Sequence, residues 1–136
     1  VETKVTTLFE RIRAIFSRLD LGRRGEDLAV DELKRRGYRI LDRRWRCRLG
    51  EIDVVAEDGD TLVVVEVKSR SRGDYGPPVD AVDRVKRRKL LQLARAYLRS
   101  RRLEEAKVTV RFDVVGVTAR SGEPPRVEIV RSAFRF

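Results

Sequence analysis

Two carboxylates and an ammonium group stand close together in the middle of the chain: Asp53, then Glu66 and Lys68 with Val67 between them. Asp58-Gly59 is a strong two-residue turn signal between Ile52–Glu57 and Asp60–Lys68, and side chains alternate faces along a strand. With that turn, Asp53 lies opposite Val64 and Glu51 opposite Glu66, so Asp53, Glu66 and Lys68 share one face. Asp53 and Glu66 become diagonal neighbours, roughly 7–8 Å apart between backbones. Carboxylates converging to ~5 Å repel by about 3 kcal/mol at an effective dielectric near 20, a cost that calls for a cation.

The rest of the composition decides which cation. The chain has no histidine and one cysteine, Cys47, so His-based nucleophilic triads, His-ligated zinc or iron, Cys-only zinc clusters and an internal disulfide are all excluded. Oxygen ligands alone suit Mg²⁺ or Mn²⁺, which keep waters and share phosphate oxygens with a substrate. Lys68 is then placed to act on an attacking water or to stabilise charge developing on phosphorus-bound oxygens.

The charge points the same way. Among 136 residues, 32 Lys+Arg outweigh 22 Asp+Glu for a net +10, and 26 of the bases are arginine, whose planar fork matches phosphate. Nucleic acid is the leading partner, against the bland alternative that arginine enrichment reflects base composition or heat adaptation. No apolar run approaches the ~18 residues of a membrane span. The first residues carry Glu2, Lys4, Glu10 and Arg11 rather than a secretory apolar stretch, so no membrane partner and a cytoplasmic location are expected.

The elements that must position these groups follow from periodicity. Leu8, Ile12, Ile15, Phe16 and Leu19 predict an amphipathic helix over Thr7 to Leu19, broken by Gly22 and Gly25. A second helix runs from Glu26 to Arg36 and ends at Gly37, with Glu26 on the stripe of Ala29, Val30 and Leu33 and so turned toward the sheet. Strands fill Tyr38 to Lys68, with Leu49-Gly50 as a weaker turn that adds Arg44, Arg46 and Arg48 to the Asp53 face. The other face collects Trp45, Cys47, Ile52, Val54, Ala56, Val63, Val65 and Val67, which predicts one apolar side and one charged side. A loop follows over Ser69 to Pro78, then a helix over Val79 to Arg102 with Val82, Val85, Leu90, Leu93, Ala94 and Tyr97 inward. Val108–Val117 reads as a strand buried on both faces, and a turn through Ser121-Gly122 and Pro124-Pro125 leads to a last strand, Val127–Val130. The expected class is α/β with a mixed sheet.

Each candidate has a plainer reading. A charged sheet face is ordinarily the wet side, and Glu26 suits the first turn of a helix for dipole reasons alone. Lys86, Arg87, Arg88 and Lys89 track a phosphate backbone or are simply a solvated helix face. Arg70 and Arg72 clamp DNA beside the metal or belong to a polar linker. Asp113, within an apolar strand, reads better as a structural ion pair with a buried arginine than as catalytic. Glu51 opposite Glu66 either joins the cluster or is turned away by a bulge, and Cys47 reads as a small inert hydrophobe.

Gly22-Arg-Arg-Gly25-Glu26 with Ala29 and Leu33, Gly50-Glu51-Ile52-Asp53, Val65-Glu66-Val67-Lys68 and Arg111-Phe112-Asp113-Val114-Val115 together resemble the YraN family of small bacterial proteins. That family is similar to archaeal Holliday-junction resolvases, among the restriction-endonuclease-like nucleases with the PD-(D/E)xK motif. The resemblance covers Leu21 to Phe136. It implies a restriction-endonuclease-like mixed sheet flanked by helices, with residues 1–20 as an extra N-terminal amphipathic helix and 21–136 as the nuclease-like domain. It also implies metal binding by Asp53, Glu66 and the Val67 carbonyl, action of Lys68 on the attacking water, and Glu26 completing the acidic cluster. Ile52 stands where the motif has proline, and Arg44-Trp45-Arg46 where family members often have Asn-Tyr-Arg.

The expectation is therefore a Mg²⁺- or Mn²⁺-dependent endonuclease acting on branched or single-stranded DNA, with catalytic Glu26, Asp53, Glu66 and Lys68. Arg44, Arg46, Arg48, Arg70, Arg72, Lys86 and Arg87 would contact nucleic acid. Resolvase-like assembly would make it a homodimer. The competing expectations are a non-catalytic nucleic-acid-binding module on the same fold, and a scaffold protein that assembles through its first helix.

Overall fold

The computed structural model describes residues 23–70, 84–120 and 122–135. The expected helix Thr7–Leu19, the boundary at residues 20–21, Arg72, Val82 and residues 71–78 of the expected loop lie outside them.

Helix α1 covers residues 23–35. Its end is a hydrogen-bonded αL cap: Gly37, at φ +92°, donates to the Lys34 carbonyl, and Tyr38 donates to that of Leu33, which satisfies carbonyls the last turn leaves open. Three strands follow, β1 (Arg39–Cys47), β2 (Gly50–Asp58) and β3 (Thr61–Arg70). Then come α2 (Arg84–Ser100), a short 3₁₀ turn (Glu105–Lys107), β4 (Thr109–Arg120) and β5 (Glu123–Arg135). The strands form one mixed sheet in the order β1-β2-β3-β4-β5. Neighbours are antiparallel except β3 and β4, a parallel pair whose connection carries α2, as such a crossover requires. The fold is α/β, and no described helix is long and apolar enough to cross a membrane.

Both faces of the sheet are covered. Val54, Ala56, Val63, Val65, Val115 and Val117 pack with Ala29, Val30 and Leu33 of α1. Ile52, Val55, Leu62, Val64, Phe112 and Val114 pack with Leu90, Leu93, Ala94, Tyr97 and Leu98 of α2. This corrects the expectation of one apolar and one charged face. Val55, Leu62 and Val64 lie on the same side as Glu66 and are buried there. Trp45, Cys47 and Ile52 also pack on the α2 side, not with Val54 and Ala56.

Both turns shift by one residue. The β2–β3 turn is Gly59-Asp60, with Asp58 paired to Thr61 in the ladder, and the β1–β2 turn is Arg48-Leu49, with Gly50 opening β2. The helix expected from Val79 is described from Arg84, and Val85 is 76% exposed rather than inward, because it lies about 150° around the helix from the centre of the buried stripe. The last strand is longer than expected; Pro124 and Pro125 are accommodated in it because β5 is an edge strand.

Candidate active site

The ladder between β2 and β3 runs from Asp58↔Thr61 to Val54↔Val65 and stops there. Beyond it the alternation of β2 is broken: Ile52 packs on the α2 side and Val54, two residues on, packs on the α1 side. Asp53 sits at this irregularity, and its Oδ2 accepts the Val67 N–H at 2.8 Å. A carboxylate thereby takes the position that a β2 carbonyl holds in a regular ladder. The N–H and C=O of one strand residue point to the same side, so the Val67 carbonyl faces the same gap.

The splayed strands open a cleft of about 520 Å³ lined by Arg23, Glu26, Arg44, Arg46, Glu51, Asp53, Glu66, Val67, Lys68, Ser69 and Lys86. Glu26, Asp53, Glu66 and Lys68 are thus brought together from α1, β2 and β3. Gly25 permits the approach of α1: a Cβ there would stand 2.1 Å from Ser69 Oγ and 3.3 Å from its Cβ. Carboxylate oxygens of Glu26, Glu51 and Asp53 lie within 4.8 Å of one another. This resolves the alternative left open for Glu51, which joins the cluster from a position opposite Arg46 rather than Glu66.

Crowding has an electrostatic cost. Burial, then the Glu66 charge, push Asp53 up to about 7; the Val67 N–H works against that shift, and Glu26 adds to it. Glu66 is 8% exposed and forms an ion pair with Lys86 of α2. Arg44 pairs with Glu26 at 2.5 Å and Arg46 with Glu51 at 2.9 Å. Of the residues expected to contact nucleic acid, Arg44, Arg46 and Lys86 therefore line the cleft but are engaged with its carboxylates. Arg48 occupies the β1–β2 turn, Arg70 ends β3, and Arg87 lies over the Phe134 ring at 5.5 Å; none of these three lines the cleft. Glu26–Arg44 and Glu66–Lys86 were missed in the sequence because they join distant elements, and Arg46–Glu51 because the one-residue displacement of the β1–β2 turn gives Glu51 a different cross-strand partner. Asp113 is buried and paired with Arg111 at 2.9 Å, away from the cleft.

The set of oxygen donors, with an ammonium beside them and basic side chains around the rim, can hold a hard cation and receive an anion. A family model described as the uncharacterised protein family UPF0102 matches residues 25–117, the segment holding every carboxylate of the cleft. A UPF0102 protein of Geobacter metallireducens is 48% identical over 116 residues, 85% of this chain and 93% of that protein. One from Clavibacter michiganensis is 47% identical over 114 residues, covering 84% and 95% of the two chains. One from Paenarthrobacter aurescens is 49% identical over 111 residues, covering 82% and 90%.

Proposed function

Since the chain belongs to the uncharacterised protein family UPF0102, we propose from its carboxylate cleft that it is a divalent-metal-dependent endonuclease hydrolysing phosphodiester bonds in DNA. Branched or single-stranded DNA is the preferred substrate, the fold is read as restriction-endonuclease-like, and the place of action is the cytoplasm. The observation that carries this is the convergence of Glu26, Glu51 and Asp53 within 4.8 Å, in the cleft that also holds Glu66 and Lys68.

The donor set fits Mg²⁺ or Mn²⁺: every side-chain ligand is a carboxylate, and the crowding that raises Asp53 to about 7 is what a dication relieves. Asp53, Glu66 and the Val67 carbonyl would hold it, with Glu26 and Glu51 completing the acidic set. Such an ion supplies Lewis-acid polarisation of a phosphoryl oxygen. Lys68 donates hydrogen bonds to the attacking water and to oxygens that gain negative charge as the bond to phosphorus forms. Glu66, sheltered from solvent, keeps its carboxylate fixed beside Asp53 and Lys68.

Incubation with junction, flap, single-stranded and duplex DNA plus Mg²⁺ or Mn²⁺ tests the reading. Cleavage of branched or single-stranded DNA is expected, falling at least ~10²-fold in Asp53→Ala and Lys68→Ala. Cleavage undiminished in both variants, or salt-sensitive binding with no turnover, overturns it; the second result identifies a non-catalytic binding module.

A further inference from the structure

Three carboxylates of the cleft are each held by a basic side chain from another element: Glu26 by Arg44, Glu51 by Arg46 and Glu66 by Lys86. In every pair the base is the more open partner, with side-chain exposures of 43%, 75% and 39% against 14%, 34% and 10% for the acids. The cations therefore stand on the solvent side of the anions. Arg44 is also held at φ 51°, a left-handed conformation that a residue with a Cβ keeps only where its surroundings impose it. Its Nε donates to Glu26 Oε2 at 2.5 Å.

We propose that Arg44, Arg46 and Lys86 are exchangeable counter-charges, neutralising the carboxylates until a divalent cation takes them, then passing to backbone phosphates of a nucleic acid. This rests on the metal-dependent reading of the same cleft. A dication and a basic side chain compete for the same carboxylate lone pairs. Each base, as the solvent-facing partner, can leave while the dication takes over the sheltered carboxylate, so that no buried charge is left uncompensated. The released groups lie on the rim, where two forks and a point charge match phosphate oxygens. Metal and nucleic acid must then tighten each other's binding by the same factor.

The salt dependence of binding reads the number of phosphates neutralised, with a slope of about −0.7 per contact on single strands. The experiment measures anisotropy of a labelled single-stranded oligonucleotide across a NaCl series, with saturating Ca²⁺ or with chelator, and a denaturing gel confirms that the strand stays intact. Asp53→Asn at the same Ca²⁺ concentration corrects for the direct effect of Ca²⁺ on the oligonucleotide. Ca²⁺ should steepen the wild-type slope by about 2, three contacts' worth, and the Arg44→Gln/Arg46→Gln variant by only about 0.7. Calorimetry without nucleic acid should show that this double variant binds Ca²⁺ more tightly than wild type, because two competitors for the carboxylates are gone. If wild type binds Ca²⁺ with no change of slope, or the double variant keeps the full change, the exchange is overturned and the metal reading stands. Absence of Ca²⁺ binding overturns both.

Discussion

Asp53 is the residue at which the cleft's energetics concentrate, because burial and Glu66 favour its protonated form while the Val67 N–H favours the ionised one. The balance falls at about 7, above the ordinary value of 3.8. The folded protein therefore retains a proton that the unfolded chain releases, and the stability this gives is complete below about pH 4 and lost as pH rises through about 7. Asp53→Asn, which cannot ionise, should be more stable than wild type at pH 8, by on the order of 1–2 kcal/mol after discounting for solvent screening, and no more stable at pH 4. Urea unfolding at the two pH values measures this; an equal difference at both would show that charge crowding is not the cause. Saturating Mg²⁺ at pH 8 should stabilise wild type and leave the variant unmoved. The carboxylates and Lys68 were legible in the sequence as a pattern of types and spacing. Arg44 and Arg46 were placed on the same face, but their pairing with Glu26 and Glu51 was not legible, nor was the left-handed backbone at Arg44, which no periodicity signals.

At the scale of elements, the β1–β2 and β2–β3 turns were each placed one residue from their true positions, yet the faces of most strand residues came out right. Moving a two-residue turn by one residue moves every cross-strand partner by two, an even step that preserves which side each residue faces. Gly50, at φ +142°, reads as a turn glycine but opens β2, and Asp58 stays in the strand with its carboxylate bound by Arg111 and Arg131. What alternation could not show was its own interruption at Asp53, nor the second core beneath α2, since Val55, Leu62 and Val64 were hidden in a nearly continuous apolar run. The seating of α1 on β3 gives a test at this scale. Gly25→Val would drive side-chain atoms into Ser69, and overpacking of this kind costs about 1–3 kcal/mol. It should also weaken Mg²⁺ binding by moving Glu26. Gly25→Ala with Ser69→Ala removes the 2.1 Å clash and leaves only the 3.3 Å contact, so calorimetry should find binding near wild type. A double variant as impaired as Gly25→Val would show that the contact with Ser69 does not set the position of Glu26.

Across the whole molecule, the end of the sheet opposite the cleft is closed by a polar network that joins β2, β4 and β5 with Tyr38, the residue before β1. Tyr38 donates to Asp113 at 2.8 Å, Arg111 bridges Asp113 and Asp58, Arg131 also reaches Asp58, and the Ser132 N–H donates to Asp113 at 2.9 Å. Burial, then the Asp113 hydrogen bond, push Tyr38 up to about 12, so it remains a neutral donor throughout the physiological range. The sequence reading favoured a structural ion pair for Asp113, and the structure pairs it with Arg111; the other partners come from residues too distant in sequence for spacing to indicate. The separation of this network from the cleft makes a prediction about division of labour. Asp113→Ala takes from Arg111 one of its two carboxylates, leaving it Asp58, and leaves the buried Tyr38 hydroxyl and the Ser132 N–H without their acceptor, so it should cost at least ~2 kcal/mol. Tyr38→Phe removes the hydrogen bonds to Asp113 and from Arg111 and should cost about 1 kcal/mol. Neither changes a group within the cleft, so Mg²⁺ affinity per folded molecule, measured well below the unfolding temperature, should match wild type in both. A loss of affinity in Tyr38→Phe, which remains almost fully folded, would show that the network transmits its geometry along β3 and β4 to the carboxylates instead of only holding the far end closed.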